Sequence, residues 1–122
     1  MEKLEIPIST TFLHVMLQEG MLQFFGKSIV EDPIKRFKPV FDWINSYEPK
    51  CDTTVVNFEV EYLNSTSSKC VLEIMIALDR LYQNGHNLKI NWHYEDGDDD
   101  MYDTGQHLKL NVKAPFSFIV HQ

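Results

Sequence analysis

The sequence predicts an α/β fold: one domain over residues 1–122, with a mixed β-sheet of about five strands and about three helices. Three observations carry that prediction. Residues 52–94 read as strand, helix, strand, and such a unit joins parallel neighbours by a right-handed crossover. Two short apolar runs, 12–18 and 21–25, flank Glu19-Gly20 and read as an antiparallel hairpin. In the long run 52–63, Val56, Phe58, Val60 and Tyr62 share one face, and Asn57, Glu59 and Glu61 share the other. That alternation gives the sheet one buried face and one open face.

The elements follow in order. Residues 1–10 read as a polar arm containing Pro7, and the hairpin ends at Gly26. Residues 27–31 lead into a first helix, with Asp32 as N-cap and Pro33 at the first helical position. Ile34, Phe37, Val40, Phe41 and Ile44 recur at helical spacing and form its expected core face. Pro39 removes an amide bond from that pattern and is expected to kink the helix, which ends near Tyr47. After the strand comes a turn, Asn64-Ser65-Thr66-Ser67-Ser68-Lys69, and then a helix over 70–84. Val71, Ile74, Met75, Leu78, Leu81 and Tyr82 form its stripe, widened by Leu72, Ile76 and Ala77, and Asn84-Gly85 ends it. Residues 87–94 alternate Leu88, Ile90 and Trp92 against Lys89, Asn91 and His93, as a strand does. The acidic run 95–100 makes a turn and begins a third helix, where carboxylates suit the positive end of the dipole. That helix spans 101–112, weakened by Gly105 and broken at Ala114-Pro115. Residues 116–120 form a closing strand.

Composition narrows the function. A chain of 122 residues can bury one core without staples. Its net charge of −7 and lack of a Lys/Arg stripe argue against nucleic acid and against an anionic membrane surface. No apolar run approaches ~20 residues, so no transmembrane helix is expected. The start, Met1-Glu2-Lys3-Leu4-Glu5, lacks the apolar stretch of a signal peptide. A cytoplasmic location is therefore expected, with Cys51 and Cys70 as free thiols. Asn64-Ser65-Thr66 fits a glycosylation acceptor, which a cytoplasmic chain does not use.

Candidate chemistry is sparse. An EF-hand loop starting at Asp96 requires Gly at its sixth position and Glu at its twelfth, where Met101 and His107 stand. His14, His86, His93, His107 and His121 show no metal-ligand spacing, although separated histidines can converge in space. Gly26-Lys27-Ser28 resembles the end of a P-loop, but Met21 occupies the place of the required earlier glycine. Cys70, near a helix start, is either an acidified thiol or a small apolar filler. The hydroxyls of Ser65, Thr66, Ser67 and Ser68 exceed what a helix cap needs, since one Ser, Thr, Asp or Asn oxygen suffices. They read as alternative caps or as a phosphorylation site. The carboxyl ends of parallel strands carry functional loops. Tyr62, Trp92 and Tyr94 are thus expected to flank the hydroxyl turn and, with the acidic loop, to share one edge.

The stretch Glu61-Tyr62-Leu63-Asn64-Ser65-Thr66-Ser67-Ser68-Lys69-Cys70 resembles the signature turn of the SiaC family of bacterial regulatory phosphoproteins. Asn91-Trp92-His93-Tyr94-Glu95-Asp96 and its acidic run extend the resemblance. So do Gly26-Lys27-Ser28, Phe37-Lys38-Pro39-Val40 with Asp42-Trp43, and Pro115-Phe116. The resemblance implies a non-catalytic partner-switching protein with a fold similar to STAS domains, needing no cofactor. In the family the residue after the turn's Asn is typically a phosphorylated Thr. Here Ser65 holds that position, with Thr66 next, and either is the candidate acceptor. A dedicated Ser/Thr kinase would add the phosphate and a PP2C-type phosphatase remove it. The unmodified form would bind a target such as a diguanylate cyclase, in cyclic-di-GMP and biofilm control. Partner contacts are expected from Tyr62, Asn64, Ser67, Ser68, Lys69, Trp92, Tyr94 and Asp96. Two other readings compete: a constitutive interaction module whose hydroxyls only cap, and a metal-dependent enzyme built on the acidic loop and His93.

Overall fold

The computed structural model describes residues 1–122. Its elements run β1 (Leu4–Ile6), β2 (His14–Gln18), β3 (Met21–Ser28), α1 (Pro33–Ser46), β4 (Thr53–Leu63), α2 (Ser65–Gln83), β5 (Asn87–Glu95), α3 (Asp99–Lys109) and β6 (Phe116–His121). The strands form one sheet in chain order, β1 to β6. β1, β2 and β3 are antiparallel, and β3 to β6 are parallel. The mixed α/β sheet with three helices is as expected, but it has six strands. The added one is β1, read from the sequence as part of a polar arm. Three residues are too few to show a period, and pairing with Val15–Leu17 makes them a strand.

Each parallel strand is followed by a helix and then by its sheet neighbour. Right-handed crossovers all stepping the same way leave the three helices on one face. Burial follows. Leu22, Phe24, Val56, Phe58, Ile90 and Trp92 point into the core, while Gln23, Phe25, Glu59 and Lys89 lie on the open face. Phe24, Phe58 and Trp92 are cross-strand neighbours, with centroids 4.5 Å and 5.8 Å apart, and form an aromatic row beneath the helices.

α1 starts as predicted, with Asp32 accepting from the Lys35 amide and Pro33 in the first turn. It remains helical through Pro39, whose ring is exposed. Its core face is rotated from the expected one. Pro33, Phe37, Val40, Trp43, Ile44 and Tyr47 are buried, whereas Ile34 is 68% exposed. Sequence periodicity admits both stripes; the bulky Trp43 and Tyr47, stacked at 4.7 Å, set the rotation.

A bulge interrupts β4. Val60 pairs with Gly26, but Tyr62 pairs with Lys27, so Glu61 is an extra residue. Gly26 has φ +105°, a conformation that costs glycine nothing. One inserted residue reverses the in–out alternation. Tyr62, expected on the buried face, is therefore 53% exposed, and Leu63 is buried instead.

Candidate functional site

The carboxyl ends of β3, β4, β5 and β6 lie at one edge of the sheet, and all three helices begin there. Helix α2 begins earlier than the sequence pattern shows. The hydroxyl run is not a turn before the helix but its first turn, because Asn64 supplies the cap. The Ser67 amide donates to Asn64 Oδ1 at 3.0 Å, and the Asn64 amide donates to the Ser28 carbonyl at 3.1 Å. Asn64 Nδ2 donates to the Val30 carbonyl at 3.1 Å. One residue therefore caps α2 and ties it to the exit of β3.

With the cap supplied, the hydroxyls divide. Ser67 is fully buried, its Oγ 2.7 Å from Ser28 Oγ. Ser65 and Thr66 are exposed, and their hydroxyls take no part in the capping bonds. Lys69 is exposed and Ser68 half-buried. The same edge carries Tyr62 and Glu61, which with Asp98, Asp100 and Asp103 line a cavity of about 500 Å³ at the start of α3. Asp98 caps that helix, accepting from the Met101 amide at 3.1 Å. The Asp96 amide donates to the His121 carbonyl at 2.8 Å, fixing the acidic loop to the end of β6.

Two expected partner residues cannot reach the surface. Trp92 is fully buried, donating from Nε1 to the Met101 carbonyl at 2.9 Å. Ser67 is sealed against Ser28. Strand alternation puts Trp92 on the helix face, and helical phase turns Ser67 inward. Tyr94 is half-buried against Tyr102 and Phe118. Cys70 is buried, and burial, then the charge of Glu73, pushes its thiol up from the ordinary range, so the acidified-thiol reading fails.

His93 shares a cavity with Glu95 and Asp98 of the acidic run, without forming a ligand cluster with them. No three His, Cys, Asp or Glu side chains converge as metal ligands. On the open face, His93 Nδ1 is instead 2.9 Å from His121 Nε2, and His93 Nε2 is 3.0 Å from Asn57 Oδ1.

A model of the SiaC family of regulatory phosphoproteins matches residues 5–121. The chain belongs to the SiaC family. It is 25% identical, over 99% of its length and 98% of the relative's, to an uncharacterised protein of Pseudomonas aeruginosa strain UCBPP-PA14. SiaC of Pseudomonas aeruginosa has the same fold: TM-score 0.88 at 22% identity, over 99% of this chain and 100% of that one. A chain in the crystal structure of the diguanylate cyclase SiaD in complex with its activator SiaC, also from Pseudomonas aeruginosa, superposes with TM-score 0.86 at 23% identity. There the coverage is 97% of this chain and 99% of that one. No helix of this SiaC-family chain is long and apolar enough to cross a membrane.

Sequence reasoning missed two parts of this edge. Exposed Ile29 lies between Ser28 and Val30, the two residues that hold Asn64. Lys69 and Leu72 of α2 face Thr104, His107 and Leu108 of α3 across a cavity of about 280 Å³. Neither leaves a local signal, because both depend on how separate elements meet.

Proposed function

We propose that this chain is a phosphorylation-controlled partner switch. A Ser/Thr kinase modifies Ser65 or Thr66, and a PP2C-type phosphatase restores the hydroxyl. The unmodified form binds and regulates a target such as a diguanylate cyclase, in cyclic-di-GMP and biofilm control. The observation that carries this reading is the division of labour in the first turn of α2. Asn64 caps it and Ser67 seals it, which leaves Ser65 and Thr66 exposed with no structural task. That arrangement counts against a module whose hydroxyls only cap.

The physics of the switch is local. A phosphate adds about −1.5 to −2 charge. At a helix N-terminus that charge is tolerated by the fold. A partner packed on a small hydroxyl, however, must desolvate a dianion, on the edge that also carries Asp98, Asp100 and Asp103. Tyr62, Asn64, Ser68, Lys69, Tyr94 and Asp96 remain the residues proposed to frame the partner contact. The test is phosphosite mapping by mass spectrometry on protein from its native host. Phosphate on Ser65 or Thr66 is expected. An unmodified helix start across growth conditions and in a phosphatase-deficient strain overturns the switch.

A further inference from the structure

Helix α2 packs against α1 and on strands β4 and β5, and α3 packs on β4, β5 and β6, so that each helix rests on the sheet and the two barely touch each other. Gly105 lets α3 sink onto the sheet: a Cβ there would lie 2.5 Å from Trp92 Cδ1 and 2.7 Å from Phe118 Cε1. A groove lies between the two helices, lined from both. It comprises two cavities, of about 280 Å³ and about 500 Å³, and Thr104 lines both. Leu72 and Leu108 give the first an apolar floor, and Leu63 and Met101 do the same for the second.

The walls differ in charge. Glu61, Asp100 and Asp103 stand at one end. Lys69 stands at the other. Both α2 and α3 satisfy their backbone groups internally, so the groove has no strand edge for a partner to extend. A segment lying here binds through side chains alone and must satisfy its own backbone, as a helix does.

We propose that the α2–α3 groove seats an amphipathic helix of a partner protein. Its apolar residues enter the two cavities, a Lys or Arg faces Asp100 and Asp103, and a carboxylate faces Lys69. The groove also gives the switch a mechanism, which rests on the phosphorylation reading. Lys69 is four residues after Ser65 and three after Thr66, the two spacings that bring side chains together on a helix surface. A phosphate on either acceptor draws Lys69 to itself, and the partner's carboxylate loses its counter-charge.

The probes are three labelled helical peptides of about 18 residues, roughly five turns, with identical Leu spacing. One carries Lys at one end and Glu at the other, one Glu at both ends, and one Lys at both ends. Titrated against the full chain, the mixed peptide is expected to bind about ten-fold tighter than either other, since each of those meets one like-charged wall. Lys69→Glu should transfer the preference to the all-Lys peptide. Thr104→Arg, which fills the point shared by both cavities, should abolish binding, as should Leu72→Asp, with circular dichroism confirming the fold in each case. Equal binding of the three peptides, no binding by any, or binding indifferent to Thr104→Arg overturns the groove. Phosphoserine installed at position 65 should weaken the mixed peptide about ten-fold in the natural chain and much less in Lys69→Met. An equal loss in both overturns the Lys69 mechanism and leaves the groove standing. Absence of phosphate in the host removes the switch without touching the peptide result.

Discussion

Ser28 and Ser67 share a hydrogen bond, Oγ to Oγ at 2.7 Å, and neither residue has any exposed surface. The bond joins the end of β3 to the first turn of α2, the turn that carries the exposed hydroxyls of Ser65 and Thr66. Ser67→Ala leaves the Ser28 hydroxyl buried and unpaired, at a cost of about 1–3 kcal/mol. Adding Ser28→Ala should recover part of that loss, because both polar partners are then gone. Denaturant unfolding of the two single variants and the double variant measures this coupling. Strictly additive losses would show that the bond contributes nothing.

The cap and the acceptors should separate cleanly in stability measurements. Asn64→Ala removes an N-cap and the bond to the Val30 carbonyl, and is expected to cost about 1–2 kcal/mol. Ser65→Ala with Thr66→Ala removes exposed groups only, so its effect should stay within about 0.5 kcal/mol. Ser65→Asp should keep the circular dichroism spectrum and melting profile while losing partner binding. Thermal melts and a pull-down with the target read both quantities. Unchanged binding by the Asp variant sinks the switch.

Much of this division was legible in the sequence, and the parts that were not have identifiable causes. The order of elements from β2 to β6, the parallel pairing of β4 with β5, the Asp32 cap and the open sheet face all follow from period and turn chemistry. The start of α2 did not, because Ser and Thr suit a turn and a helix start about equally, and only the Asn64 geometry decides. Tyr62 was assigned to the wrong face because a bulge has no period of its own. Ile34 was misplaced because two stripes on α1 fit the spacing and only tertiary contact chooses between them. Trp92 was judged by its place near a strand end, where its alternation with Leu88 and Ile90 already pointed inward. Asp79 drew no notice at all. It is buried, and its Oδ1 accepts from the Lys113 and Ala114 amides at 2.9 Å each, a contact set by the return of the chain into β6.

Gly105 fixes how close α3 approaches the sheet. Gly105→Ala gains about 1 kcal/mol of helix propensity. It also places a methyl group against the indole of Trp92, whose Nε1 is committed to the Met101 carbonyl. Overpacking of this kind costs about 1–3 kcal/mol. A net destabilisation is expected, visible as a lower midpoint in urea. A higher midpoint would mean that α3 can lift without penalty.

The last prediction concerns acid. Asn57 Oδ1 accepts from Asn91 Nδ2 at 3.1 Å and from His93 Nε2 at 3.0 Å, so neutral His93 carries its proton on Nε2. His93 Nδ1 then accepts from His121 Nε2, and His121 Nδ1 lies 3.8 Å from Glu59 Oε1. A second proton on His93 would have to sit at Nδ1, against the N–H of His121. Burial holds the His93 pKa below its ordinary value; Glu59 opposes the shift and His121 adds to it. Glu61, Glu95 and Asp98 line the same cavity and are the other charges in reach. The unfolded chain takes up this proton at about pH 6.5, and the folded chain only at lower pH. Between those values the unfolded state binds more protons, so stability falls as pH drops below about 6.5. The contribution is fully present above that pH. His93→Gln keeps a donor toward Asn57 without a titrating group. Its melting temperature should therefore fall less than that of the natural chain between neutral and mildly acidic pH. Parallel pH profiles for the two proteins would show that the His93–His121 pair does not couple to folding.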